Sequence, residues 1–165
     1  MGQTSEFILS VFSFLLLLII IWFTYTIVNI FVTMYRCKKL DPSLKFCFNT
    51  QGKIFYTVLT ILYVVGFIGG MIAVVYGLIN DSLTFYRNGI NVAAFISVVY
   101  GYFLSSIVMI GRKNIMVGRM LIDYRKLKKV NYTYTNKMSF VYAQKDYNFS
   151  TRFVDKSALR KAISK

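Results

Sequence analysis

The sequence predicts an integral membrane protein of the α-helical class: three transmembrane helices in residues 1–111, followed by a small cytoplasmic β-meander with a C-terminal helix in residues 112–165. Three observations carry this reading. The 165 residues are 56% hydrophobic yet include 20 Lys and Arg against 6 Asp and Glu. Apolar and charged residues occupy different stretches, whereas a soluble nucleic-acid binder of net charge +14 would spread its cations over a modest core. Beyond residue 112 the apolar pattern changes from continuous to period two, the alternation of half-buried strands.

The helices come from three uncharged runs, residues 7–35, 54–80 and 88–111, each longer than the roughly 20 residues that cross a hydrocarbon core. A chain in lipid must satisfy its own backbone hydrogen bonds, and none of the runs alternates as a barrel strand does, so all three are predicted as helices. No polar face is present for a soluble fold to expose. The first run lacks a preceding basic region and ends at Tyr35-Arg36 rather than at small residues, so it reads as a retained span and not a secretory signal. Glu6 stands where a myristoylation pattern needs Ser or Thr.

Orientation follows from the basic residues. None precedes the first span, five lie in loop 36–53, one lies in loop 81–87, and fourteen follow the third span. The positive-inside rule puts the N-terminus outside, loop 36–53 and the tail in the cytoplasm, and loop 81–87 as a short external turn. Tyr35 and Tyr86 read as interfacial anchors, while Trp22, near mid-span, is expected to pack between helices.

Small residues recur every fourth position on spans two and three. Gly66 and Gly70 form a GxxxG, Gly69, Ala73 and Gly77 a second series, and Ala93, Ser97, Gly101 and Ser105 a third. Such series let backbones approach closely, in an antiparallel hairpin of the two spans or at a homodimer face. Trp22, Thr26, Asn29 and Thr33 share a face of the first span, where Asn29 is expected to hydrogen-bond a neighbouring helix. No charged side chain falls inside any span, and three spans hold no inverted repeat, which disfavours a monomeric transporter and leaves a small oligomeric channel or carrier open.

In the tail, three strands are predicted around Val130/Tyr132/Tyr134, Met138/Phe140/Tyr142 and Tyr147/Phe149/Thr151/Phe153, joined by Thr135-Asn136-Lys137 and Gln144-Lys145-Asp146. Residues 114–121 read as a further strand and 123–129 as a turn or short helix. Asp155 reads as the N-cap of a last helix whose apolar stripe is Ala158, Leu159, Ala162 and Ile163. Fifty-four residues bury little core alone, so the module is expected to lean on the membrane, on loop 36–53 or on another copy. Arg119, Arg125, Lys126, Lys128 and Lys129 are its candidate residues for anionic inner-leaflet lipid or a protein partner. Each contributes about 1 kcal/mol near such a surface, although topology control alone also makes cytoplasmic segments basic.

This layout resembles a family of small bacterial membrane proteins of uncharacterised role, the YobD type. The resemblance lies in Ile115 to Val130, similar to that family's strand and following turn at Ile122-Asp123-Tyr124, and in Asp155 to Ile163, similar to its terminal helix. The tail is also similar to half of a PH-like module, with Asn114-Ile115 where such modules often carry Gly-Ile. The resemblance implies a multi-pass protein of the bacterial plasma membrane and brings no catalytic residues or cofactor.

Catalytic classes are few. The chain has no His, so Ser-His-Asp and Cys-His arrangements are excluded, and Cys37 and Cys47 alone make no zinc site. Both thiols are expected free in a reducing cytoplasm. There is no phosphate loop, and the N-x-S/T matches at Asn131 and Asn148 fall on predicted cytoplasmic strands. The Tyr/Lys interleaving of 124–147 is ordinary sheet composition rather than a nucleic-acid platform. The sequence therefore points to a non-enzymatic accessory or regulatory subunit without cofactor or metal. The alternatives are an immunity protein against a membrane-active peptide and the oligomeric channel or carrier.

Overall fold

A computed structural model describes the backbone of residues 2–133 and 136–164 and the side chains of 11–132 and 136–164. The chain forms α1 (Gly2–Leu40), β1 (Lys45–Phe46), α2 (Thr50–Ile79), α3 (Leu83–Leu104), β2 (Val108–Ile110), β3 (Asn114–Val117), β4 (Met120–Asp123), β5 (Lys128–Thr133), β6 (Lys137–Tyr142), β7 (Lys145–Ser150) and α4 (Lys156–Ile163). Two helices, Val11–Leu40 and Thr50–Ile79, are long and apolar enough to cross a membrane. At 22 residues α3 is long enough, but Arg87, Asn88 and Asn91 lower its hydropathy, and a third span is not shown.

The helix ends depart from the uncharged runs in instructive ways. α1 continues five residues past Tyr35 through Arg36, Lys38 and Lys39, because basic residues in a last turn complement the helix dipole. The third run is not one helix. α3 begins at Leu83, inside the predicted external turn 81–87, and stops at Leu104, after which 108–110 is a strand. An absence of charge does not reveal where Ser105-Ser106 interrupts the backbone ladder. α2 is closed by Asp81 at φ +48 and by Ser82 N–H donating to the Gly77 carbonyl (2.8 Å), a Schellman cap.

The chain divides into two compact units: residues 1–28 with 58–102, and residues 29–57 with 103–165. In the first, Ile20 of α1 packs with Ile90, Ala93 and Ala94 of α3, and Phe67 and Val74 of α2 close the cluster. The outward residues are large and apolar. Trp22 is 67% exposed, so it does not pack between helices as position alone suggested.

The second unit is built on strands. β1, β2, β3 and β4 form one antiparallel sheet in that order, with Phe46 opposite Met109 and Ile115 opposite Ile110 and Ile122. β5, β6 and β7 form a second, with Met138 opposite Phe149. One core joins them: Val108, Ile115, Val117 and Ile122 from the first sheet, Met138, Phe140 and Phe149 from the second, Leu159 of α4, and Cys47 of the loop before α2. The predicted strand 114–121 is a hairpin instead, because Gly118 at φ +58 reverses the chain against the Ser105 carbonyl. The β6–β7 turn is Ala143-Gln144, both at positive φ as in a type I′ hairpin, so Lys145 and Asp146 belong to the strand. Thr151 and Phe153 lie beyond β7, and Tyr134 and Thr135 fall outside the described residues.

Candidate functional site

Asp155 caps α4 by accepting from Ser157 N (3.0 Å) and Ala158 N (3.1 Å), and Leu159 on the apolar stripe is fully buried. The cap also fastens α4 to the loop between α1 and α2. Asp155 N donates to the Cys47 carbonyl (3.1 Å), the Cys47 thiol to the Asp155 carbonyl (3.4 Å), and Cys47 N to the Val108 carbonyl (3.0 Å). Phe48 bridges to Val154. The tail therefore folds on loop 36–53, which supplies a strand and a core side chain.

Two further sets of contacts hold this loop. Asp41 accepts from Ser43 N (3.1 Å) and, through its other oxygen, from Asn114 Nδ2 (3.0 Å), while Arg112 N donates to Ser43 Oγ (2.8 Å). The loop is thereby laced to the β2–β3 turn. Second, aromatic rings gather where α2 begins. Phe55 stacks on Phe153 at 4.3 Å and meets Phe103 edge-on, Tyr56 stacks on Phe48 at 4.7 Å, and the Tyr56 hydroxyl donates to the Phe103 carbonyl (3.1 Å). Gly52 lets α2 approach the Phe153 carbonyl where a side chain would collide.

These contacts frame a cleft of about 790 Å³ between the loop and α4. Lys45, Arg112 and Lys161 line it, together with the apolar Phe46, Phe48 and Ile110 and with Cys47 and Asp155. Burial and the neighbouring Asp155 charge push the Cys47 thiol up to about 11, so it is protonated and chemically quiet at neutral pH. Burial likewise raises the Tyr124 hydroxyl to about 12, and it donates to the Gly111 carbonyl (3.2 Å). No group of three or more His, Cys, Asp or Glu suited to a metal ion occurs among the described residues.

The basic residues singled out in the sequence are all exposed: Arg119, Arg125, Lys126, Lys128 and Lys129. Arg125 to Lys129 form a continuous cationic edge through a 3-10 turn (Tyr124–Lys126) capped by Asp123 and into β5, where Lys129 takes φ +50 at a β-bulge. Arg119 sits in the β3–β4 turn, at the other end of β4, about 13 Å away for four extended residues. The cations of the cleft escaped sequence reasoning. Lys45, Arg112 and Lys161 lie far apart in the chain, and only β1–β2 pairing and the docking of α4 assemble them.

Of the small residues, Gly66 faces Ile96, Gly70 faces Gly89 and Ala93, Gly77 faces the Tyr86 backbone, and Gly101 faces Phe23 and Ile27. Ala93 and Ser97 are buried, and Ser97 Oγ donates to the Ala93 carbonyl (2.7 Å). Gly69 has open space around it, Ala73 is half-buried, and Ser105 lies past the end of α3 with its carbonyl against Gly118. Gly89 was missed, although it begins the series Ala93, Ser97, Gly101. A Cβ there would lie 2.6 Å from the Gly70 carbonyl oxygen. Asn29 is half-buried, and its carbonyl accepts from Thr33 Oγ1 (2.7 Å).

Comparison with protein-family models, with curated proteins and with solved structures finds no match to this chain.

Proposed function

We propose that this is a non-enzymatic multi-pass membrane protein, an accessory or regulatory subunit whose basic cytoplasmic unit docks on the anionic inner leaflet. The carrying observation is the partition of charge. The unit of residues 29–57 and 103–165 holds nineteen of the twenty Lys and Arg and four of the six acidic residues. All eighteen of those cations among the described residues are exposed. At about 1 kcal/mol for each cation close to an anionic surface, even a handful in contact would hold the unit there.

In this reading α3 is a third span. Its 22 residues extend about 33 Å, and Arg87 lies in its second turn, close enough to the end to reach an interface. The N-terminus is then external, loop 41–49 and the tail are cytoplasmic, and the membrane is the bacterial plasma membrane. The resemblances to the YobD-type family and to PH-like modules belong to the same proposal, supported by a β-rich unit closed by a terminal helix.

The test is hydrogen exchange of the full-length protein in nanodiscs of neutral or anionic lipid. Strands 108–150 should gain protection in the anionic discs and lose it at high salt, because exposed charges are screened. Equal exchange in both lipids would remove leaflet docking, and co-purification in mild detergent would then be the route to a protein partner.

A further inference from the structure

In the cleft between the α1–α2 loop and α4, cations of the unit border a concavity. Lys45, Arg112 and Lys161 line it, and among the described residues none of their cationic groups has a hydrogen-bond or ion-pair partner. Asp41 stands close by, bonded to the lining Ser43 and to Asn114, and Asp155 is the one acid among the lining residues. One of its oxygens is already engaged by Ser157 N, Ser157 Oγ and Ala158 N at the start of α4. The cleft thus offers a surplus of unmatched positive charge in a volume of about 790 Å³, suited to a small ligand and not to a polypeptide segment.

We propose that this cleft binds the phosphate of an anionic glycerophospholipid, a specific site that rests on the leaflet-docking reading and gives it a ligand. Guanidinium and ammonium groups bordering one concavity are the usual receptors for phosphate oxygens, Arg by its fork and Lys as point charges. Two observations favour a lipid over free phosphate. Phe46 is 51% exposed and stacks on Phe48 at 5.3 Å, which puts an apolar rim beside the cations for the glycerol and upper acyl region. Phe46 also lies six residues after α1 ends and four before α2 begins, so at no more than about 3.6 Å per residue it stays within about 15 Å of the start of α2. Free phosphate would use the cations and leave this rim without a role.

The test uses the full-length protein in a neutral detergent, titrated with short-chain phosphatidylglycerol, short-chain phosphatidylcholine or inorganic phosphate. Two triple variants are compared: Lys45→Gln/Arg112→Gln/Lys161→Gln in the cleft, and Arg125→Gln/Lys126→Gln/Lys128→Gln on the β5 edge. Thermal melting of both confirms that they fold. The cleft variant should bind phosphatidylglycerol at least tenfold more weakly, and the edge variant less than threefold. Equal losses in the two variants would overturn the cleft site while leaving leaflet docking intact. No preference for phosphatidylglycerol over phosphatidylcholine in the parent would overturn both. Inorganic phosphate binding as tightly as the lipid would overturn the lipid as the ligand.

Discussion

Replacing Gly52 by Ala tests whether the tail is folded onto the loop between α1 and α2. A Cβ at this position would press on the Phe153 carbonyl oxygen and lie 3.1 Å from the carbonyl carbon and 3.0 Å from Asn49 Oδ1. Carbon atoms rest about 3.5–4.0 Å apart, so the start of α2 must retreat by roughly 0.5 Å or more. Such overpacking costs about 1–3 kcal/mol. The retreat also strains two bonds across the same contact, Asn49 N to the Phe153 carbonyl (3.2 Å) and Asn49 Nδ2 to the Arg152 carbonyl (3.2 Å), each contributing about 0.5–1.5 kcal/mol. The helix propensity of Ala over Gly returns at most about 1 kcal/mol. The balance is a loss of about 1–5 kcal/mol, a fall of about 4 °C or more in Tm for a unit of this size. Thermal unfolding in detergent measures it, with hydrogen exchange of residues 45–48 and 151–155 showing the site of opening. If Gly52→Ala melts within 1 °C of the parent (on the order of 0.2 kcal/mol) with unchanged exchange there, the docking argument is wrong.

Other perturbations separate packing, backbone and charge. Gly89→Ala should destabilise the α2–α3 contact by about 1–3 kcal/mol, whereas Gly69→Ala, with open space around it, should be neutral or stabilise by up to about 1 kcal/mol; melts of the same sign and size would contradict the assigned contact. Lys129→Gly, at φ +50 in the bulge, should raise stability by about 0.5–1 kcal/mol, since glycine accepts that conformation without strain, and a clear loss in denaturant titration would mean the bulge is misplaced. Asp155→Ala removes the cap of α4 and should cost about 0.5–2 kcal/mol, read from the midpoint of thermal unfolding. The hydroxyls of Ser43 and Ser157 chiefly hold the Asp41 and Asp155 carboxyls below their ordinary value, so the unfolded chain takes up protons first. The stability they contribute is complete above about pH 4 and is lost as the pH falls through the lower folded values, which an acid melting series would show. Cys47 behaves in the opposite sense. Its burial favours the thiol, so its contribution is present below the ordinary value of 9.0 and is lost as the pH rises from there through about 11.

Much of the molecule was legible because it is local. Apolar runs, the Asp155 cap with its Ala158/Leu159 stripe, and the alternation of Met138 and Phe140 are all patterns within a few residues. The hairpin at Gly118 was hidden because residues 114–121 alternate poorly: Ile115, Met116 and Val117 are all buried, as a strand covered on both faces must be. The end of α3 was hidden because helix and buried strand look alike in an uncharged apolar run.

By itself the sequence determined the segregation of charge from apolar length and a basic β-rich end; of the three spans read from it, two are helices able to cross a membrane. The tertiary structure alone decided what that end is made of. β1 has two residues and no periodicity to read, yet it pairs with β2 more than sixty residues later and brings Cys47 into the core. The cleft follows from the same pairing. Lys45, Arg112 and Lys161 carry no shared motif, because a site assembled across distant segments is specified by which backbones hydrogen-bond and not by the spacing of its side chains along the chain.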